Sequence, residues 1–230
     1  MVIVIEKLCN HGHIRQMNKV AIVIGATGLV GTEVVIRLLK TEQIDKIISI
    51  TRRPVNYGSA KVENHVIEFS RLNEYSDLFR GDYLFSCLGT TKALAKSFEA
   101  QRTVDLDYQF QAAQLALENG VEHYLLVSSN AANAKSFHPY LKMKGELEEK
   151  IALLEFRKTS VFQPSLLLGE RKDMRVAEGV GAKILPILCR LPGLAKFKPI
   201  SGREVAEKMV CVSQRSDLGY QCYRLDEVFP

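Results

Sequence analysis

The chain has 230 residues, of which 47% are hydrophobic and 25% are charged, and its formal net charge at pH 7 is +5. This length allows one sizeable hydrophobic core but leaves little room for two complete domains. The basic residues are scattered and do not alternate with aromatic residues in one stripe, which argues against a nucleic-acid partner. No apolar run approaches the roughly 18 residues that a transmembrane helix requires, so we predict no membrane span.

The first sixteen residues precede the first structural pattern of the chain. The apolar run at residues 2–5 is too short for the apolar core of a secretory signal peptide. We therefore expect residues 1–16 to form a mobile N-terminal extension. Cys9, His11 and His13 have the chemistry of metal ligands, but no further ligand cluster accompanies them, and we predict no metal site.

The five cysteines of the chain indicate a reducing compartment. They are odd in number, widely spaced and without a CxxC pair, which is typical of free thiols rather than of disulfides or a structural zinc site. The sequence therefore predicts a cytoplasmic protein. The cysteines are Cys9, Cys87, Cys189, Cys211 and Cys222.

Three glycines spaced three residues apart follow a buried-strand pattern. Residues 20–24 are apolar, and Gly25, Gly28 and Gly31 then lead into a segment with apolar residues at helical spacing. Glycine at these positions lets the chain turn sharply, lets its backbone approach a pyrophosphate and lets the helix pack on the strand. The N–H groups at the start of the helix would bind the anion. The segment predicts a dinucleotide-binding loop.

The next strand pattern, at residues 46–51, ends in basic residues. A site that selects NAD(H) places an acidic residue near this strand end to bind the ribose hydroxyls. Here Thr51 is followed by Arg52 and Arg53, and guanidinium groups suit a 2′-phosphate. The sequence therefore predicts NADP(H). The alternative is a solvated basic turn before Pro54.

Strand and helix patterns alternate over the rest of the chain. This alternation predicts an α/β fold with a Rossmann-type doubly wound parallel sheet, formed by one domain at residues 17–230. We expect one helix face, consisting of Val104, Tyr108, Ala112 and Leu115, to pack against the sheet. Further strands are predicted at residues 62–69, 82–88, 123–128, 160–164 and 219–225, and helices at residues 103–119, 140–154 and 203–212.

The alternation loosens from about residue 165, where prolines interrupt the apolar segments. We expect residues 165–230 to contribute a small C-terminal substrate-facing lobe. The apolar stretch at residues 184–194 contains two prolines, so a lid or core segment is favoured there over a membrane-contacting helix.

Tyr140 and Lys144 are four residues apart and would lie on one face of a helix. This spacing also arises by chance, as Tyr57 and Lys61 show, but Tyr140 opens a predicted helix and follows Ser129 by eleven residues. Ser129 would hydrogen-bond a substrate carbonyl, Tyr140 would transfer a proton, and Lys144 would lower the tyrosine pKa and bind the nicotinamide ribose. The alternative for the serine is a cap on the following turn.

These motifs together resemble the short-chain dehydrogenase/reductase superfamily. The GxxGxxG motif, the pair Ser128 and Ser129, and the YxxxK motif follow one another in that superfamily's order. The stretches at residues 86–91, 105–108 and 140–148 resemble its atypical branch more closely, in particular the Tat-interacting-protein-like oxidoreductases. The similarity covers about residues 18–169.

The resemblance implies a Rossmann fold that binds NADPH. It places Leu88 and Gly89 on the adenosine side, Arg52 and Arg53 on the 2′-phosphate, and a group of loop residues around the pyrophosphate. That group consists of Gly25, Thr27, Gly28, Leu29, Val30 and Gly31. The resemblance also places residues 68–69 beside adenine and residues 163–165 beside the nicotinamide. We find no counterpart of the active-site asparagine that many superfamily members carry on the helix before strand five.

These observations predict an NADPH-dependent oxidoreductase that transfers hydride to a small carbonyl-type substrate. The alternative is a non-catalytic NADPH-sensing regulatory protein that acts on a protein partner. Acyl-enzyme chemistry at Cys87 is disfavoured, because the chain lacks the large second domain of the semialdehyde dehydrogenases that share the glycine motif.

Overall fold

The computed structural model describes residues 18–168 and 198–230, so the predictions for the N-terminal extension and for residues 184–194 lie outside the described residues. A seven-stranded sheet has the strand order β3-β2-β1-β4-β5-β6-β9, and all of its described pairings are parallel. The short strands β7 and β8 pair separately. The strands are β1 (Lys19–Ile24), β2 (Ile44–Thr51), β3 (Val62–Val66), β4 (Tyr83–Ser86), β5 (His123–Val127), β6 (Lys158–Gln163), β7 (Leu167–Leu168), β8 (Ile200–Ser201) and β9 (Gly219–Arg224). The α-helices are α1 (Leu29–Leu39), α2 (Lys92–Ala95), α3 (Phe98–Arg102), α4 (Tyr108–Glu118), α5 (Pro139–Ala152) and α6 (Gly202–Ser213).

The central strands are buried on both faces, which produces two core layers. On β1, Ile22 and Ile24 belong to one layer, and Ala21 and Val23 belong to the other, because successive side chains of a strand point to opposite faces. Helices α4 and α5 cover the first layer, and α1 and α6 cover the second. This arrangement confirms the predicted doubly wound α/β fold.

The helix predicted at residues 103–119 begins earlier than expected and contains a π-helical turn. Ser97 caps it by accepting a hydrogen bond from the N–H of Ala100, and α3, a π turn at Thr103–Asp107 and α4 follow. The wider turn shifts the buried face of the helix, so Asp105 is buried while Val104 is only half-buried. The predicted stripe is therefore correct in α4 but not in the turn before it.

One other segment differs from the expected pattern, whereas the helix and the strand expected near the C-terminus are present as α6 and β9. The strand predicted at residues 62–69 ends at Val66, because a 3₁₀ segment begins at Phe69 and runs to Phe79. At the C-terminal end, β9 joins the main sheet and α6 packs against α1. Gly202 allows this approach, since a Cβ at that position would lie 2.5 Å from the carbonyl oxygen of Leu29. No helix in the described ranges is both long and apolar enough to cross a membrane.

Candidate functional site

A cavity of about 620 Å³ opens where β1, β4, β5 and β6 end. The carboxyl edge of a parallel sheet is the usual place for a ligand in this class of fold. Its wall brings together residues from the glycine loop, from the loop after β4 and from α5. The predicted catalytic and cofactor-binding residues among the lining residues are Leu29, Val30, Leu88, Gly89, Ser129, Tyr140 and Lys144.

The glycine loop fits closely between its neighbours. Gly25 has φ +75°, and a Cβ there would lie 2.4 Å from the carbonyl carbon of Cys87. A Cβ at Gly31 would lie 2.2 Å from the oxygen of Gly25. Side chains at these two positions would therefore push the start of α1 away from the sheet.

The start of α1 has unpaired donors beside the cavity. Gly28 is the N-cap residue, and its side-chain-free position leaves the first turn without a side-chain cap, while Thr27 is exposed. Within residues 18–168 and 198–230, the N–H groups of residues 29–31 make no backbone hydrogen bond. Together with the helix dipole, these donors form an anion-binding end.

The two arginines lie outside the cavity lining, just after the end of β2. Arg52 and Arg53 are exposed, and neither forms an ion pair with any described residue. Thr51 Oγ1 donates to the carbonyl oxygen of Arg53 at 2.8 Å, which fixes the backbone of this turn. The turn therefore presents two solvated cations next to the glycine loop.

The loop between β2 and β3 contacts both ends of α1. Tyr57 Oη donates to the carbonyl oxygen of Ala26 at 3.3 Å, and this oxygen also accepts a hydrogen bond from Thr32 Oγ1 at 3.1 Å. At the other end, Lys61 Nζ donates to three carbonyl oxygens, those of Leu38, Leu39 and Thr41. A cation at a helix C-terminus is favourable because the dipole is negative there. Tyr57 and Lys61 thus have a structural role rather than a place in the cavity.

The serine, tyrosine and lysine predicted to act together all line the cavity. Ser129 lies on the loop after β5, and Tyr140 lies in the first turn of α5, which begins with Pro139. Lys144 follows one turn later and is only 3% exposed. Within the described part of the chain, its Nζ makes no hydrogen bond or ion pair. Because Lys144 lines the cavity, its position fits a ligand that supplies hydrogen-bond acceptors.

Gly145, which the sequence pattern did not single out, lets α5 come close to the serine loop, which is the loop of residues 128–138 that carries Ser129. A Cβ at Gly145 would lie 2.1 Å from the backbone nitrogen of Ala134. The helix therefore packs directly on the backbone that follows Ser129. The glycine directly after Lys144 was the available signal.

A partly buried polar network lies behind the site and was also not predicted from the sequence. Glu148 accepts hydrogen bonds from Ser128 Oγ and from Gln163 Nε2, the latter at 3.0 and 2.9 Å to its two carboxylate oxygens. Arg224 Nε donates to Gln163 Oε1 at 3.3 Å. Burial raises the pKa of Glu148, and the two hydrogen bonds oppose this rise. Gln163 therefore points at Glu148, while residues 164–165 line the cavity as expected.

Asp105 lies on the helix where the resemblance implies an asparagine. It lines the cavity from the π turn, and its carboxylate accepts a hydrogen bond from the N–H of Thr90 at 2.7 Å. Gln101 Nε2 donates to the carbonyl oxygen of Thr90 at 3.1 Å. These contacts fix the loop after β4. A π turn often marks a functional part of a helix, but its position is not readable from the sequence.

The structure also describes three further residues that the sequence analysis considered, namely Glu68, Phe69 and Cys87. Glu68 is exposed and Phe69 packs against Tyr108, with ring centroids 5.8 Å apart, and neither lines the described cavity. Cys87 does line it, but burial raises the pKa of its thiol to about 12. Because the thiolate is the nucleophile, this environment disfavours acyl-enzyme chemistry.

Residues 21–171 match the NAD dependent epimerase/dehydratase family. The chain belongs to this family. Protein FMP52-1, mitochondrial, of Scheffersomyces stipitis is 35% identical over 202 residues, which cover 85% of this chain and 88% of the relative. Protein HTATIP2 of Rattus norvegicus is 35% identical over 173 residues, which cover 74% of this chain and 71% of the relative. The resemblance to the Tat-interacting-protein-like atypical branch is confirmed.

A solved structure confirms the fold. The UDP-glucuronic acid 4-epimerase of Bacillus cereus, in complex with UDP-glucuronic acid and NAD, superposes with a TM-score of 0.68 at 12% identity. The superposition covers 90% of this chain and 77% of the epimerase. At this identity the likeness establishes the Rossmann-type architecture alone.

The expected cytoplasmic location was wrong. The S. stipitis relative is named as mitochondrial, and so are further FMP52 relatives. Free cysteines report the redox conditions around a protein, and they do not identify the compartment.

Proposed function

We propose that this protein is an NADPH-dependent oxidoreductase that transfers hydride to a small carbonyl-type substrate. The observation that carries the proposal is the meeting of Ser129, Tyr140 and Lys144 in one cavity that also reaches the start of α1. A proton donor, a hydrogen-bond donor and a dinucleotide-binding helix end are the parts that carbonyl reduction needs.

The described residues fit a nicotinamide dinucleotide. The N–H groups of residues 29–31, which make no backbone hydrogen bond among the described residues, suit a pyrophosphate, and the ammonium of Lys144 in the cavity lining suits ribose hydroxyls. When bound, the cofactor supplies the hydride. We propose that the residues which hold it are Gly25, Thr27, Gly28, Leu29, Val30, Gly31, Arg52, Arg53, Leu88, Gly89, Tyr140 and Lys144.

The preference for NADPH over NADH rests on the turn after β2. Arg52 and Arg53 are solvated cations without ion-pair partners among the described residues, so a 2′-phosphate would not have to displace an internal salt bridge. Changing both arginines to alanine is expected to weaken NADPH binding at least about tenfold and to leave NADH binding within about twofold. Titration calorimetry with both dinucleotides measures this. Arg80→Ala, at the amino end of the sheet, is the matched control, and NADPH affinity that survives the double change contradicts the preference.

The side chains of the protein account for the polarisation of the substrate carbonyl and for the proton transfer. Ser129 Oγ donates a hydrogen bond to the carbonyl oxygen of the substrate, and Tyr140 donates its phenolic proton to that oxygen as negative charge builds on it. The ammonium of Lys144, one turn along the same helix face, stabilises the phenolate that remains.

Tyr140→Phe tests the proposal. We expect it to lower NADPH consumption with a panel of carbonyl compounds by about 100-fold or more, because general acid catalysis typically contributes that factor. NADPH affinity should stay within about threefold, since the phenol contributes only one hydroxyl to the site. Tyr220→Phe, on the exposed face of β9, is the control. Turnover that survives Tyr140→Phe refutes the catalytic assignment. Tight NADPH binding without any turnover by the unaltered protein favours the sensing alternative.

We also propose a mitochondrial location, on the basis of the names of the FMP52 relatives. A fusion of the full chain to a fluorescent protein should coincide with a mitochondrial marker in cells. A diffuse signal contradicts this proposal.

A further inference from the structure

We propose that Glu148 is the positioning residue of the site, and that its carboxylate holds the serine loop and the segment after β6 against α5. This inference rests on the proposed function, because it concerns the geometry of the same Ser129 and Tyr140. The role of Glu148 is indirect: its carboxylate binds other side chains and does not line the cavity that the described residues form.

Three separate segments of the site converge on this one carboxylate. Helix α5 carries Tyr140, Lys144 and Glu148 at four-residue intervals, so the three side chains share one helix face. Ser128 directly precedes Ser129, and its hydroxyl donates a hydrogen bond to Glu148. Gln163 directly precedes two lining residues of the cavity and donates its amide N–H to the same group.

The hydrogen-bond pattern leaves little freedom for an alternative arrangement. Gln163 Oε1 accepts from Arg224 Nε, so the amide of Gln163 must direct its NH₂ group at Glu148. A carboxylate accepts from both donors. An amide at position 148 would place its NH₂ group against the NH₂ of Gln163 in either orientation, because Gln163 Nε2 contacts both carboxylate oxygens. Glu148→Gln is therefore nearly isosteric but breaks the pattern.

The network also separates the roles of the two adjacent serines. The hydroxyl of Ser128 is committed to Glu148. Among the residues that the structure describes, the hydroxyl of Ser129 makes only a long contact, 3.4 Å, with the carbonyl oxygen of Asn130, and Ser129 lines the cavity together with Tyr140. Ser129 is thus the serine left for a substrate, and Ser128 anchors the loop that presents it.

The experiment compares four variants of the full chain in complex with NADPH. Glu148→Gln is expected to lower kcat about tenfold, because a misplaced donor pair weakens transition-state contacts made by Ser129, while the Kd for NADPH stays within about twofold. Ser128→Ala is expected to lower kcat as well. The kcat of the double variant should be no lower than that of the less active single variant, because both changes disrupt the same hydrogen-bond network. Glu149→Gln, on the exposed neighbour of Glu148, should behave like the unaltered protein.

The outcomes separate this inference from the proposed function. A Glu148→Gln variant with unchanged kcat, or single-variant effects that add, overturns the positioning role even when the unaltered protein reduces carbonyls. If the unaltered protein reduces none, the proposed function fails, and hydrogen exchange then decides the inference. In that case Glu148→Gln should speed amide exchange in residues 128–134 and 163–167, and Glu149→Gln should not. Equal exchange in both variants overturns it.

Discussion

His123 makes the stability of this protein depend on pH in a way that the structure specifies. It lies at the start of β5, is 4% exposed, and its Nε2 is 3.0 Å from Ser160 Oγ. Burial lowers its pKa from 6.5 to about 3, and the charge of Lys158 acts in the same direction, while Asp217 opposes it. The folded protein therefore keeps this imidazole neutral at pH values where the unfolded chain protonates it.

The sign and size of the effect follow from linkage. Because the unfolded state binds the proton and the folded state does not, the stabilisation is complete above pH 6.5 and is lost as the pH falls toward about 3. With these two pKa values, lowering the pH from about 7.5 to about 5 removes about 2 kcal/mol of the free energy of unfolding. That is a large part of the stability of a typical domain.

Urea unfolding of the unaltered protein and of His123→Gln at both pH values measures this contribution. Glutamine can still meet Ser160 Oγ, but it cannot be protonated, so the variant should lose about 2 kcal/mol less than the unaltered protein over this range. His138→Gln, at an exposed position, should follow the unaltered protein. Equal losses in His123→Gln and the unaltered protein would show that folding leaves the proton affinity of His123 unchanged.

Three further changes test the site itself. Gly31→Ala should weaken NADPH binding at least about tenfold in titration calorimetry. The control Gly120→Ala strains a φ of +84° just after α4, so it should destabilise the fold without changing the Kd for NADPH. Equal Kd values in the two variants would contradict the close fit of the glycine loop. Lys144→Met should also weaken NADPH binding, because it removes an ammonium group from the cavity lining. It should not clearly lower the Tm of the cofactor-free protein, because Lys144 forms no ion pair with another described residue. A clear drop in Tm would contradict this. Iodoacetamide near neutral pH should label the exposed Cys211 and leave Cys87 unlabelled, and labelling of Cys87 should rise only at strongly alkaline pH. Peptide mass spectrometry measures both reactions. Fast labelling of Cys87 near neutral pH would contradict its raised pKa.

The fold could be predicted because its signals are local. Buried parallel strands appear as short apolar runs, and the glycine loop between β1 and α1 has a spacing that few other structures require. Tyr140 and Lys144 belong to one helix, so their relation was also readable from the sequence. Even the early helix start had a local signal, the cap at Ser97, although the polar residues after it concealed the helix.

The parts that could not be predicted depend on contacts between distant segments. Glu148 and Gln163 are fifteen positions apart on a helix and a strand, and nothing in either segment indicates the partner. The π turn that brings Asp105 to the cavity inserts one residue into a helical period, and such an insertion leaves no distinct pattern in a single sequence. Gly145 itself can be read from the sequence, but the backbone segment that it contacts, at Asn133 and Ala134, can be identified only from the folded structure.

The loop between β2 and β3 suggests how dinucleotide choice could be altered in the laboratory. Tyr57 fixes this loop at one end of α1, Lys61 fixes it at the other end, and Thr51 fixes the turn at Arg53. Arg52 and Arg53 lie between these anchors and point into solvent. Under the proposed preference for NADPH, an acidic residue placed in this short stretch would accept an unphosphorylated ribose and leave these anchoring contacts in place.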